Sequence, residues 1–151
     1  GFINGIEKVL AELGATRALA DAHVLAGALW EDAEQPEKAV TRYRLAARLQ
    51  DEGDRTGVDF RLARAMLRAG DAPEAAELLG DVLQREEQSD VAPGSRAMTA
   101  AMLARTLVES GEFGQAVGVH GYAAELFGEA EEHAEQAGDG DDQADPVGTG
   151  G

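Results

Sequence analysis

Three histidines are the side chains in this chain best suited to acid–base chemistry or metal binding: His23, His120 and His133. Imidazole titrates near neutral pH and binds transition metals, but either role needs further groups at a fixed spacing. The sequence has no His-Glu-x-x-His motif and no glycine-rich phosphate loop followed by lysine. Because the histidines are also far apart, we expect packing or surface roles for them. We predict no enzyme activity, no metal and no cofactor.

Aspartates near the C-terminus resemble a calcium-binding loop only weakly: Asp139, Asp141, Asp142 and Asp145. Such a loop needs glycine at its sharp turn and a closing glutamate. Ala144 occupies the glycine position, and the closing glutamate is absent. The segment is rich in glycine and acidic residues and too poor in apolar ones to order itself. We therefore predict a disordered acidic tail over residues 137–151.

The charge of the chain excludes one large class of partner. Its 151 residues carry a net charge of −16, and no lysine or arginine follows residue 128. Nucleic-acid binding requires a basic surface that displaces counterions, so we predict no nucleic-acid partner. The chain has no cysteine and no apolar run long enough to span a bilayer. We expect no membrane association and a cytoplasmic location.

The clearest structural pattern lies between residues 58 and 83, where two amphipathic helices are predicted on either side of Gly70. Apolar residues recur at helical spacing in both halves. Glycine takes a left-handed backbone cheaply and ends a helix, and Pro73 and Glu74 suit the first turn of the next helix. Helices joined by so short a turn lie antiparallel. The first of them carries three arginines on the side opposite its apolar face: Arg61, Arg64 and Arg68.

The same layout recurs on both sides of this hairpin. Three alanines, at positions 39, 75 and 116, each lie five residues after a predicted turn residue, namely Glu34, Gly70 and Gly111. Gly27, Ala63 and Ala104 lie twelve residues before those alanines, and Tyr43, Leu79 and His120 lie four residues after them. Before these units, an apolar helix is predicted to end at Gly14, and Thr16 is predicted to cap the next helix. The predicted organisation is a single helix over 1–15 and three hairpins over 16–136.

This pattern resembles the tetratricopeptide repeat (TPR), a helix–turn–helix unit of about 34 residues. The resemblance covers roughly residues 20–126, in three repeats with a half-repeat before them. The periods of 36 and 41 residues are longer than usual, and His120 replaces an expected aromatic residue. The resemblance implies an all-α, right-handed helical-hairpin solenoid of about seven helices.

In the TPR family, the first helices of the repeats line a concave groove that holds an extended or helical segment. Carried across, the resemblance implies a groove lined by seven residues: Arg61, Arg64, Arg68, Arg105, Met98, Met102 and Phe60. Clustered arginines suit an acidic partner, and methionines add an adaptable apolar floor. Two alternatives remain. The arginines pair with Asp32 and Glu109 of neighbouring helices, or the acidic tail folds back into the groove.

These expectations together predict a non-catalytic protein–protein interaction module that binds a protein or peptide segment, with acidic character favoured. The alternative is a sensory or regulatory domain of a larger bacterial regulator that binds a peptide or small ligand. The glycine at position 1 and an uncovered first helix motivate that alternative. Three apolar residues of this helix, Phe2, Ile3 and Ile6, predict a self-association contact, such as a homodimer, or a surface covered by a larger protein.

Overall fold

The computed structural model describes residues 1–51, 53 and 55–144. Every regular element in this part of the chain is a helix, which confirms the predicted all-α class. The six helices are α1 (Phe2–Asp32), α2 (Pro36–Arg48), α3 (Thr56–Arg68), α4 (Ala72–Gln88), α5 (Pro93–Glu109) and α6 (Phe113–Ala144). Among these described helices, none combines the length and apolar character needed to cross a membrane.

The predicted break at Gly14 is wrong, because α1 runs unbroken from Phe2 to Asp32. The Thr16 hydroxyl donates to the carbonyl oxygen of Glu12 over 2.9 Å, as a threonine inside a helix does, so it does not cap a new helix. One glycine in a helix costs only about 1 kcal/mol, and the neighbouring leucines and alanines favour the helix strongly enough to absorb it. The described residues therefore contain six helices, where about seven were predicted, and the predicted boundary at residue 15 lies inside α1.

The last helix also differs from the prediction. Residues 137–144, which were predicted to belong to a disordered tail, form the end of α6. The remaining part of that predicted tail, residues 145–151, lies outside the described residues.

Three hairpins have turns with the same backbone geometry. We call them the first (α1–α2), second (α3–α4) and third (α5–α6) hairpin. Their turn residues have positive φ values of 59°, 89° and 82° at Glu34, Gly70 and Gly111. In each turn the next N–H donates to a carbonyl oxygen five residues earlier, over 2.8–2.9 Å: Gln35 to Trp30, Asp71 to Met66, and Glu112 to Leu107. This is the Schellman helix end, and it confirms the three predicted turn positions.

The helices form two compact units, residues 1–85 and the residues from Glu86 onward. In the first unit, α1 packs against α2, and α2 packs against α3. Asp59 of α3 is buried and accepts a 2.6 Å hydrogen bond from Arg85, which ties α4 to α3. In the second unit, α5 packs against α6. Alanines and leucines fill its core: Ala97, Ala100, Leu103, Leu107, Ala123 and Leu126.

Candidate functional site

The arginines of α3 converge on one buried carboxylate of α1. The Glu31 side chain is only 5% exposed. Arg64 binds it with two hydrogen bonds, from Nε to Oε2 at 3.1 Å and from Nη2 to Oε1 at 2.8 Å. Arg68 adds a third, from Nη1 to Oε2 at 2.8 Å. A two-pronged contact from arginine fixes orientation as well as charge, so α3 is held on the first hairpin in a defined register.

Tyr43 of α2 completes this cluster. Its hydroxyl donates to Oε1 of Glu31 over 2.5 Å, and the whole residue is buried. Its ring lies directly against α1 at Gly27, where an added Cβ would be 2.6 Å from the ring carbon Cε1. Only glycine leaves room for that ring. The glycine of α1 and the tyrosine of α2 therefore set the spacing of the two helices around the buried carboxylate.

The ionisation of the cluster follows from these contacts. Burial opposes the charge on Glu31, but hydrogen bonds from Arg64 and Tyr43 and the charges of Arg64 and Arg68 outweigh it, so the pKa of Glu31 is lowered. The hydrogen bond to Glu31 raises the pKa of Arg64. Burial, and then the bond to Glu31, raises the pKa of Tyr43. The cluster is thus a satisfied ion pair network at neutral pH.

This arrangement places two of the predicted groove arginines in an internal contact. Arg64 and Arg68 pair with an acidic residue of another helix, as the first alternative predicted. Their partner, however, is Glu31 and not Asp32, which is exposed. Sequence reasoning missed Glu31. A signal for it was present: in the register of the three hairpins, Glu31 occupies a place filled by Leu67 and Val108. A carboxylate at a position that is apolar in the other two hairpins indicates that the carboxylate is buried and that a cation binds it.

The seven predicted groove residues are divided between the two units. Phe60, which is half-buried, and three arginines lie on α3, where Arg61 is exposed near the Tyr43 hydroxyl. Met98, Met102 and Arg105 lie on α5 in the second unit. Met98 is 63% exposed. The Arg105 side chain is 72% exposed and lies 3.6 Å from Oε1 of Glu109, a loose surface pair of small energetic value.

An apolar depression of about 500 Å³ lies between α5 and α6. We call it the α5–α6 groove, and its eight lining residues are Ala101, Ala104, Arg105, Val108, Phe113, Ala116, Val117 and His120. Three large apolar side chains in it face solvent: Val108 is 49% exposed, Phe113 63% and Val117 74%. Of the predicted groove residues, only Arg105 lines it. The apolar residues of this groove were missed because the sequence shows a helix's apolar face without showing whether anything covers it.

The α5–α6 groove corresponds to a covered face of the first hairpin. In the common register, Val108 corresponds to Glu31, Phe113 to Pro36, and His120 to Tyr43. On the first hairpin, α3 packs against α2 and reaches Glu31 of α1 through its arginines. The first hairpin thus uses this face to hold a helix. The third hairpin presents the equivalent face with apolar side chains open to solvent.

The N-terminal half of α1 carries a second exposed apolar surface. We call it the α1 stripe, and it consists of Ile3, Ile6, Val9, Leu10 and Leu13. Each of these side chains is at least 44% exposed. Two of the three predicted self-association residues belong to it, and the side chain of the third, Phe2, lies outside the described residues.

A polar cleft of about 400 Å³ lies where the same helix passes the end of α2. Its lining includes Leu13, Thr16, Arg17, Asp21 and Gln50. The side-chain oxygen Oε1 of Gln50 is buried and makes no hydrogen bond. Because this oxygen has almost no accessible surface, the polar groups that the cleft offers belong to Thr16, Arg17 and Asp21.

The three histidines have separate surroundings. Nδ1 of His23 lies 3.2 Å from Nη1 of Arg42, His120 lines the α5–α6 groove, and His133 is exposed on α6. Within the described residues, no group of three or more His, Cys, Asp or Glu side chains is arranged to hold a metal ion.

A second buried carboxylate, Glu86, contrasts with Glu31. It lies at the end of α4, is 7% exposed, and its Oε1 makes no hydrogen bond. Burial raises the pKa of Glu86, and Thr99 and Arg96 offset that effect only in part.

The chain was compared with models of known protein families and with curated proteins, and it matches none of them.

Proposed function

We propose that the chain is a non-catalytic protein interaction module built from TPR-like helical hairpins, and that it binds a helical segment of a protein partner in the α5–α6 groove. The observation that carries this proposal is the exposure of Val108, Phe113 and Val117 in one depression. Contiguous exposed apolar side chains on a small protein mark surfaces that a partner covers.

The first hairpin supports a helix as the form of ligand. On its equivalent face, α3 packs against α2 and reaches α1 through its arginines, so a hairpin with these turns can hold a third helix. In helix-in-groove recognition, apolar anchors spaced three or four residues apart enter such a groove. Val108 occupies the position that the carboxylate of Glu31 has in the first hairpin. The partner helix should therefore contact it with apolar side chains, and not with arginines as α3 contacts Glu31.

The charge of the site favours acidic residues beside that ridge. Arg105 lies at the rim of the groove, is largely exposed, and has only a loose contact with Glu109. A carboxylate on the partner helix would offer it a better-aligned ion pair. Arg64 and Arg68 are not part of this proposal, because Glu31 already binds both.

A library of displayed helical peptides tests this function. Peptides selected on the whole chain should bind it, and binding should weaken at least about tenfold with Val117→Glu, since a charge in an apolar contact costs more than 1.4 kcal/mol. Gln115→Glu is the matched control: it adds the same charge on the other side of α6 and should leave binding unchanged. If every selected peptide binds the Val117→Glu variant as well as the original chain, the groove is not the binding site.

The polar cleft beside α1 favours a second candidate function, small-ligand binding by a regulatory domain. The side chains of Arg17 and Asp21 in its lining would suit a small polar molecule with both acceptor and donor groups. A thermal-shift screen of small polar metabolites should then find a ligand that stabilises the chain and loses its effect with Arg17→Leu. Stabilisation that Arg17→Leu leaves unchanged would remove the cleft from consideration.

A further inference from the structure

We infer that the α5–α6 groove takes the α1 stripe of a second copy of this chain, so that the protein associates head to tail. The inference rests on the proposed function, because it names an occupant for the same groove. It joins two of the exposed apolar surfaces in the described residues, one in each unit.

The α1 stripe has the form of a groove ligand. Residues 3–13 are helical and all exposed, and the side chains of Ile3, Ile6, Leu10 and Leu13 follow one another at intervals of three or four residues. At helical spacing, Glu7 borders this ridge on the side of Ile3. Lys8 falls on the opposite side of the helix.

The dimensions of the two surfaces agree. The groove is lined by two eight-residue helical segments, 101–108 and 113–120, which at 1.5 Å per residue step are about 10 Å long. The stripe from Ile3 to Leu13 is about 15 Å long on the same scale. It is therefore long enough to place apolar side chains along the whole groove.

The charges of the two surfaces also agree. Arg105 is the strongly basic side chain of the groove, whereas Glu7 borders the stripe. In a chain of net charge −16, two copies repel each other on average. Placing Glu7 near Arg105 brings opposite charges together at the contact and orients the incoming helix.

This contact joins two different surfaces, so two copies either exchange stripes in a closed dimer or leave one stripe and one groove free for further copies. A symmetric stripe-to-stripe dimer would instead use no groove. Mixing a stripe variant with a groove variant therefore separates the stripe-to-groove contact from the stripe-to-stripe contact.

The experiment uses two variants of the whole chain, followed by analytical ultracentrifugation. Ile6→Glu disrupts the stripe and leaves the groove intact, and Val117→Glu does the reverse. The original chain should associate as its concentration rises, and each variant alone should stay monomeric. An equimolar mixture should form a 1:1 complex and grow no further, because only one intact stripe and one intact groove can meet. Ala11→Glu and Gln115→Glu add the same charge on other faces of α1 and α6 and should associate like the original chain.

Three results would overturn the inference. They are a monomeric original chain up to about 100 µM, a Val117→Glu variant that still associates, and a mixture of variants that stays monomeric. Circular dichroism checks that each variant remains helical, and the exposed positions of both residues make loss of the fold unexpected. If displayed peptides bind the groove while the chain stays monomeric, the proposed function stands and only the occupant is wrong.

Discussion

The first and third hairpins share a backbone plan and differ in what their equivalent faces contain. Both turn through a Schellman helix end, and both bury an alanine five residues after the left-handed residue. On the first hairpin, the side chains of Glu31 and Tyr43 are buried, and α3 binds Glu31 through two arginines. On the third, Val108 and His120 occupy those places and are exposed. The difference shows that a few side chains decide whether such a face is sealed inside the protein or left open to a partner.

The largest expected difference between the two hairpins is at Tyr43 and its equivalent, His120. Tyr43→Ala should lower the free energy of unfolding of the first unit by about 3–5 kcal/mol, because it removes a fully buried ring. His120→Ala should change stability by less than about 0.5 kcal/mol, since that side chain is exposed. Urea unfolding measures both, with Trp30 fluorescence reporting the first unit and circular dichroism the helices. Equal losses for the two variants would contradict the difference in burial.

The next largest effect concerns the charge of Glu31. Glu31→Gln should destabilise the first unit by about 2 kcal/mol at pH 7, a value reduced from that of a fully buried pair because Arg68 is more than half exposed. The pKa of Glu31 is lowered from its ordinary value of 4.5, so the stability it provides is present above that value and is lost as the pH falls through the folded-state pKa.

The difference in free energy of unfolding between Glu31→Gln and the original chain should therefore shrink as the pH is lowered from 7 to 3. Urea unfolding at each pH measures it. Glu109→Gln, which removes a carboxylate from a loose exposed pair, is the control and should show little effect at any pH. A difference in free energy of unfolding that stays constant across this range would show that the charge of Glu31 is not what stabilises the unit.

Gly27→Ala tests how closely the two helices of the first hairpin approach. The new Cβ would overlap the Tyr43 ring, so we expect a loss of about 1–2 kcal/mol after the gain in helix propensity is included. Gly80→Ala in α4 meets no atom within 4 Å and should stabilise the chain by about 0.5–1 kcal/mol. Thermal melting followed by Trp30 fluorescence would separate the two. A stabilising Gly27→Ala would mean that α1 and α2 are farther apart.

The second unit should respond to loss of a buried carboxylate in the opposite direction from the first. Because burial raises the pKa of Glu86, the charged form is disfavoured in the folded state, and this cost appears as the pH rises through the folded-state pKa. Glu86→Gln should stabilise the chain at pH 7 by about 1 kcal/mol, and the gain should fade below about pH 4.5. Helix melting at pH 7 and pH 4 measures it. If Glu86→Gln instead lowers stability at pH 7, the charge of Glu86 is compensated by a partner in the folded chain.

The smallest effect distinguishes the turns themselves. Glu34 has a φ of 59° where the other two hairpins have glycine. Glu34→Gly should therefore be neutral or stabilise by about 0.5 kcal/mol, whereas Gly111→Ala, at a φ of 82°, should cost about 1 kcal/mol. Thermal melting curves of the two variants would show shifts in opposite directions. A clear loss for Glu34→Gly would contradict the equivalence of the three turns.

The sequence predicted the hairpins well because turn chemistry is local. Gly70 and Gly111 mark helix ends wherever the chain goes next, and their spacing to Ala75 and Ala116 places Glu34 in the same role. The predicted break at Gly14 was wrong because glycine permits a helix end without requiring one. Local spacing likewise could not identify Glu31 as the partner of the α3 arginines, since that pairing joins residues more than thirty positions apart.

The openness of the third hairpin's face is tested most directly by thiol labelling, which the absence of cysteine from the sequence makes specific. His120→Cys introduces a thiol into the α5–α6 groove, and Leu79→Cys introduces one at the equivalent, fully buried place of the second hairpin. In a solution dilute enough to keep the chain monomeric, the thiol at position 120 should react at nearly the rate of a free cysteine. The thiol at position 79 should react at least about a hundredfold more slowly, as protection of a core site requires. Equal rates at the two positions would contradict the account.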